Sequence, residues 1–186
     1  MITFIATAYK ETIDSYQFIS SLMLQTNPNW ECIIHCDEKN EYIEECVSFF
    51  KSDKIKIIYN DIPTGYWGHY NRKNTLELVN TEFVIQTSIQ DYYTPNTVDE
   101  LLSNIKDCDM IMFNCVHNHL KYNILDTIPK ICKIDWGSFV LRTDIAKKVG
   151  INQPEHKWCD GIFVEECTKH PNIRIKKINK VLTIHN

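Results

Sequence analysis

Four short apolar runs in the first half of the chain, each closed by polar residues, set the strongest limit on its fold. They are 2–8 (ITFIATA), 30–36 (WECIIHC), 55–59 (IKIIY) and 83–88 (FVIQTS). Runs this continuous suit strands buried on both faces, as in a parallel sheet. Between them, apolar residues recur at helical spacing: Phe18, Ile19, Leu22 and Met23, then Ile43, Cys46, Val47 and Phe50. Asp14 or Ser15 is placed to cap the first helix, after a turn at 10–12, and Asn27-Pro28-Asn29 stops it. Another helix is expected at about 70–79. The alternation predicts right-handed βαβ units.

Further on, Val98, Leu101, Leu102 and Ile105 mark a helix with Asn96 or Thr97 as its cap, and 110–116 reads as a fifth strand. Strands are expected at 131–134 and 139–141, flanking Asp135-Trp136-Gly137. A short helix should stop at Gly150. Asp160 is placed to open and cap a helix with Phe163, Val164 and Cys167 on one face, and 173–184 reads as a last strand or hairpin. No internal repeat or linker interrupts the series, so one α/β domain over 1–186 is expected.

Charge narrows the function. The chain has 20 Lys+Arg against 24 Asp+Glu, a net charge of −4. That balance excludes an electrostatic nucleic-acid binder, and 44% hydrophobic residues exclude disorder. No apolar stretch approaches the roughly 20 residues of a membrane span, and no signal peptide is visible at the N-terminus. The 8 Cys form no C-x-x-C pair and sit mostly in apolar runs. They read as buried, reduced thiols of a cytoplasmic protein. A zinc site on His117, His119 and a nearby Cys lacks the usual paired spacing.

In open α/β sheets, ligands sit beyond the carboxyl ends of the strands. Thr7, Ala8, Tyr9, Asp37, Asp61, Ser88, Gln90 and Asp91 fall there. Neither G-x-G-x-x-G nor G-x-x-x-x-G-K-[ST] is present. A nucleotide bound here needs a metal and Arg or Lys to neutralise its phosphates.

An ordered series of motifs over nearly the whole chain resembles the family 2 glycosyltransferases and their GT-A fold. Thr7-Ala8-Tyr9 is similar to that family's P-x-Y-N start, and 18–27 (FISSLMLQTN) to its S-[LV]-x-x-Q-T helix. The strand ending at Asp37 keeps one Asp of the usual pair. Residues 68–74 (GHYNRKN) resemble G-x-x-x-A-R-N, with Arg72 as the arginine. Residues 88–95 (SIQDYYTP) resemble D-x-D-D-x-x-x-P, with Ser88 and Gln90 in place of carboxylates. Residues 137–142 (GSFVLR) resemble the acceptor-side strand. Residues 158–163 (WCDGIF) resemble the E-D-W-D-L helix start, with Cys159 before Asp160. His185 resembles the C-terminal histidine of some GT-A metal sites.

The resemblance implies a GT-A-type, Rossmann-like, mostly parallel sheet flanked by helices. A nucleotide-sugar half would span about 1–95 and a smaller acceptor-side half about 96–186. The implied reaction is metal-assisted, inverting transfer from a nucleotide-sugar, a UDP-sugar in the first instance, to a glycan or other hydroxyl acceptor. Asp160 would be the general base. Thr7, Ala8, Tyr9, Asp37, His69, Arg72, Gln90 and Asp91 would hold the donor. Asp91 and His185 would hold Mn²⁺ or Mg²⁺, and Asp135, Trp136, Gly137 and Trp158 would meet the acceptor sugar. The chain is expected to be either a minimal catalytic domain or the first part of a longer polypeptide. Two alternatives remain at this level: a degenerate sugar- or nucleotide-binding module, favoured by Ser88 and Gln90, and a nucleotidyltransferase, for which 7–12 (TAYKET) supplies no glycine.

Overall fold

The structure, a computed structural model, describes residues 1–9 and 14–186; the turn expected at 10–12 lies outside them. The first half follows the expected alternation: β1 (Ile2–Ala8), α1 (Asp14–Met23), β2 (Trp30–Cys36), α2 (Glu41–Phe50), β3 (Ile55–Tyr59), α3 (His69–Leu78) and β4 (Phe83–Ser88). Two short elements follow, β5 (Asp91–Tyr93) and α4 (Thr97–Asn104). Then come β6 (Met110–His117), β7 (Asn123–Leu125), β8 (Phe139–Arg142), α5 (Thr143–Val149), α6 (Cys159–Thr168) and β9 (Ile175–His185).

The strands form one sheet in the order β3-β2-β1-β4-β8-β6-β9-β5, with β7 beside β6. β3, β2, β1 and β4 are all parallel. β8 runs antiparallel to β4 and to β6, and β9 runs parallel to β6. All seven residues of β1 are buried, because helices cover both faces of the sheet. Side chains alternate with period two. Phe4 and Ala6 pack with Phe18, Ile43, Val98 and Leu101 from α1, α2 and α4. Ile5 faces the other way, toward Leu76, Ile145, Phe163 and Val164 from α3, α5 and α6. Each large side chain so buried stabilises the fold by roughly 1.5–3 kcal/mol.

Several local expectations change. Residues 131–134 are a turn rather than a strand. Lys133 N–H donates to Lys130 O (3.0 Å), Ile128 N–H to Lys133 O (2.9 Å), and Cys132 takes φ 61°. The sheet positions beside β6 are already filled by β7, β8 and β9. Asp160 is not the cap of α6; Trp158 holds that position and Asp160 lies inside the first turn. Asn96 precedes α4 without a side-chain cap bond; Gln25 Oε1 instead accepts from Val98 N–H (3.0 Å). Asp14 opens α1 and accepts from Tyr92 Oη–H (2.8 Å). Met23 is exposed, unlike Phe18, Ile19 and Leu22. Among the described residues, no helix is long and apolar enough to cross a membrane.

Candidate active site

A cleft of about 1130 Å³ opens at the carboxyl ends of β1, β2 and β4, where a strand-end ligand site belongs. The residues expected to hold a donor, Thr7, Ala8, Tyr9, Asp37, His69, Arg72, Gln90 and Asp91, line it. So do His185, Asp135, Trp136, Trp158 and Asp160, brought round by the antiparallel half. Gly137 lies behind this wall, where an added Cβ would come 2.7 Å from Asp91 Oδ2. Its lack of a side chain lets the turn pack on Asp91, and it is not one of the residues that line the cleft.

The first-half groups of this cleft are heavily engaged. Asp37 is buried and gathers the 60–65 loop: Thr64 N–H (2.9 Å), Thr64 Oγ1–H (2.8 Å) and Asn60 Nδ2 (3.1 Å) donate to Oδ1, and Gly65 N–H (2.9 Å) to Oδ2. Burial raises its pKa, but the two backbone N–H groups and the Thr64 and Asn60 side chains outweigh that and hold it below the usual carboxylate range. Arg72 is buried as well. Its Nη1 donates to Trp67 O (2.8 Å) and its Nη2 to Thr87 O (2.8 Å), while Nε has no partner among the described residues. Burial lowers its pKa against the opposing fields of Asp135, Asp91 and Asp160.

These two residues clamp a strained segment. Gly65, Tyr66, Trp67 and Gly68 all have positive φ, between 49° and 72°. Bulky residues in that region cost on the order of 1–3 kcal/mol each and persist only where their surroundings hold them. Gly68 is required for a second reason: a Cβ there would lie 2.7 Å from Thr7 Cβ. The loop leaves the Trp67 ring over the cleft, 65% exposed. His69 follows, buried, its Nδ1–H donating to Pro154 O (2.9 Å). Burial and nearby Arg72 lower its pKa to about 4, so the ring is neutral.

Asp91 is buried, with Thr87 Oγ1–H and Ser88 N–H (2.9 Å) on Oδ2 and His185 Nδ1 at 2.7 Å from Oδ1. Burial works against the His185 cation, but the hydrogen bond to Asp91 and the charge of Asp135 raise its pKa to about 9. Asp135 caps the one-turn helix Trp136–Ser138 by accepting from Gly137 N–H (2.9 Å), and its Oδ2 lies 3.7 Å from His117 Nε2. Trp136 is only 6% exposed and packs among Arg72, His69, Phe139 and Phe163. It is a core ring, not the open sugar platform expected of it. Trp158, by contrast, is 41% exposed and lines the cleft.

Asp160 stands apart from Asp37. Gly161 N–H (2.7 Å) donates to it, and no side chain does so among the described residues. Burial and the Asp135 charge raise its pKa to about 7. Such a carboxylate is poised to take a proton near neutrality. The turn at 131 reaches α6 because Gly161 has no side chain; a Cβ would fall 2.5 Å from Ile131 Cα.

Sequence reasoning passed over Trp67, Lys157 and Cys132, and weighed His117 and His119 only as zinc ligands; all line the cleft. His117 had a usable signal, since it is the last residue of β6 and the strand-end rule that selected Asp37 applies equally to it.

No protein-family model and no characterised protein sequence matches the chain. Its fold does match solved structures. Residues 1–349 of S. aureus TarS align over 100% of this chain and 60% of that one, with TM-score 0.81 and 14% identity. The same TarS portion in complex with UDP-GlcNAc aligns over 98% and 57%, with TM-score 0.74 and 13% identity. The mannosyltransferase PcManGT from Pyrobaculum calidifontis, in complex with GDP-Man and Mn²⁺, aligns over 99% and 56%, with TM-score 0.79 and 13% identity. The fold is therefore GT-A-like, of the kind found in glycosyltransferases. The chain spans about 60% or less of the length of these structures.

Proposed function

We propose that this chain is a single-domain glycosyltransferase of the family 2 type, moving a sugar from a nucleotide-sugar to an acceptor hydroxyl with inversion. The observation that carries the reading is the convergence, in one strand-end cleft, of a rigid donor wall and a carboxylate raised to about 7. The nucleotide half ends near residue 95. Tyr9 and the Asp37-held loop form the base and ribose wall, and a UDP-sugar is the first donor to test. TarS and PcManGT, whose structures hold UDP-GlcNAc and GDP-Man, support a nucleotide-sugar in this cleft.

Asp160 takes the acceptor's hydroxyl proton as that oxygen bonds to the anomeric carbon. The bond from anomeric carbon to diphosphate breaks, and its electron pair leaves on the phosphate oxygen. Trp158 orients the acceptor at the mouth. Four carboxylates, Asp37, Asp91, Asp135 and Asp160, line the cleft, and buried Arg72 feels the last three. A dianionic diphosphate is repelled there without a cation, so the residues fit a bound divalent ion, Mn²⁺ or Mg²⁺, with His185 among its ligands. When bound, the ion neutralises charge on the leaving group. Eight free cysteines, seven of them buried, support a reducing, cytoplasmic setting.

The test is a screen of nucleotide-sugars for release of free nucleoside diphosphate, with and without Mn²⁺. Metal-dependent release from one donor, increased by an acceptor, is the expected result. Donor binding without release under any condition would leave a binding module instead.

A further inference from the structure

The expected metal pair, Asp91 and His185, is not how the cleft presents its ligands. Both oxygens of Asp91 are taken: Oδ2 by Thr87 Oγ1 and Ser88 N–H, Oδ1 by His185 Nδ1. That carboxylate is buried, and Gly137 packs close against Oδ2. It is therefore built to hold His185 by Nδ1–H, so that a bound ion would take Nε2 and displace its proton to solvent. A carboxylate fixing the far nitrogen of an imidazole is the usual outer support of a metal-ligating histidine.

Two further ligands meet His185 from the other side. β6 and β9 shift register between Phe113 and Cys115, then pair again so that His117 and His185 stand opposite each other. Their ring centroids are 4.5 Å apart. Asp135 uses Oδ1 on Gly137 N–H and brings Oδ2 to 3.7 Å from His117 Nε2. One ligand atom from each of His117, Asp135 and His185 can be chosen so that all lie within 4.8 Å of one another, a spread that one ion can draw together. All three line the cleft.

We propose that His117, Asp135 and His185 form a three-ligand site for a divalent transition-metal ion, with Asp91 as the residue that positions His185. Two imidazoles and one carboxylate favour Mn²⁺, Co²⁺ or Zn²⁺ over Mg²⁺, which prefers oxygen ligands. Three protein ligands leave positions open toward the cleft for water or a phosphate oxygen. His117 Nδ1 now accepts from His119 N–H (3.2 Å). Ligation through Nε2 moves the ring proton to Nδ1 and gives up that half-exposed contact. The proposal rests on the transferase reading only for the ion's task, not for its binding.

The experiment titrates Co²⁺ alone into the full chain after chelator treatment, following d–d absorption, with melting temperatures as the fold control. Expected is one ion per chain without any nucleotide, with Mg²⁺ failing to displace it. His117→Ala, His185→Ala and Asp135→Asn should each weaken binding by at least about tenfold; Asn keeps an oxygen for Gly137 N–H. Asp91→Asn should weaken it roughly 10-fold while leaving the absorption band in place, and His119→Ala should leave it unchanged. Full-strength binding in folded His117→Ala and Asp135→Asn proteins, or binding that appears only with UDP, would overturn the three-ligand site while leaving the transferase reading standing. Nucleotide-independent, His117-dependent binding would uphold the site even if no donor were turned over.

Discussion

Asp37 and Asp160 are both acids of the same cleft, yet their surroundings push them in opposite directions. Asp37 sits at the end of a parallel strand and accepts from the backbone and side chains of one loop, so it stays ionised. Asp160 sits in the first turn of a short helix, receives one backbone N–H, and faces Asp135, so its pKa rises to about 7. The same contrast separates the two halves of the molecule. Parallel strands in the first half position Asp37 and Asp91, each holding several protein hydrogen bonds. The turns and antiparallel strands of the second half deliver charged groups that face one another. On the proposed reading, the first half holds a ligand still and the second changes protonation or ligation beside it.

The largest effect should come from removing Asp160, the base of the proposed reaction. Asp160→Asn should lower the transfer rate by roughly 10²–10⁴-fold and leave UDP affinity nearly unchanged. In the unsubstituted protein the rate should climb with pH and level off above about 7, as Asp160 ionises. The sign for stability is the reverse. Because the folded state holds this proton more tightly than the usual carboxylate, stability falls as pH rises from about 4 toward about 7. Asp160→Asn should therefore melt higher than the parent at pH 8.5, by roughly 2–4 °C per kcal/mol relieved, and not at pH 4. A rate that survives the substitution would move the base to Asp135 or Glu165.

Next in size is Arg72→Ala, which should destabilise the fold by about 3–5 kcal/mol, measured by urea unfolding. It strips the partner from Trp67 O and Thr87 O and leaves three acids without their buried countercharge. Unchanged stability with lost donor binding would mean that the first half also works through a mobile charge, and the contrast between halves would fail. Asp37→Ala should be milder. Releasing the 60–65 loop should weaken UDP binding by roughly 1–3 kcal/mol in a calorimetric titration. Asp37→Asn keeps an acceptor oxygen and should lose less. Equal losses would show that charge on Asp37, rather than its grip on the loop, serves the donor.

How much of this was legible in the sequence follows the same division. The bounds of β1, β2 and β4 could be read directly, because strands buried on both faces are nearly continuously apolar and stop where they reach water; β3, at the sheet edge and only partly buried, was legible from its β-branched residues instead. Asp37 and Asp91 could be placed at the cleft for that reason, and Arg72 only through the motif at 68–74. In the second half the signal weakens. Ile131 and Ile134 are apolar, but they pin a turn against α6 instead of forming a strand, a tertiary choice that depends on Gly161 several elements away. Trp136 looked like a stacking face because composition cannot separate a core ring from an open one. The meeting of His117 with His185 depends on a register shift between β6 and β9, which no local pattern encodes.

The smallest expected effects sharpen the comparison without disturbing the fold. Tyr9 and Trp158 are 57% and 41% exposed, one on each side of the cleft. Little apolar burial is lost when either is truncated, so both alanine variants should melt within a few degrees of the parent. A ring that stacks on a ligand contributes about 0.5–1.5 kcal/mol beyond its buried area, roughly a 2- to 12-fold change in affinity. Tyr9→Ala should spend that change on UDP affinity and leave the acceptor KM alone, whereas Trp158→Ala should raise the acceptor KM and leave UDP affinity alone. Isothermal titration with UDP and acceptor-dependent initial rates separate the two. Were Trp158→Ala to weaken UDP binding instead, the second-half wall would reach across the cleft to the donor, and the acceptor would have to enter over the strained Tyr66–Gly68 loop, where the exposed Trp67 ring is the next aromatic to remove.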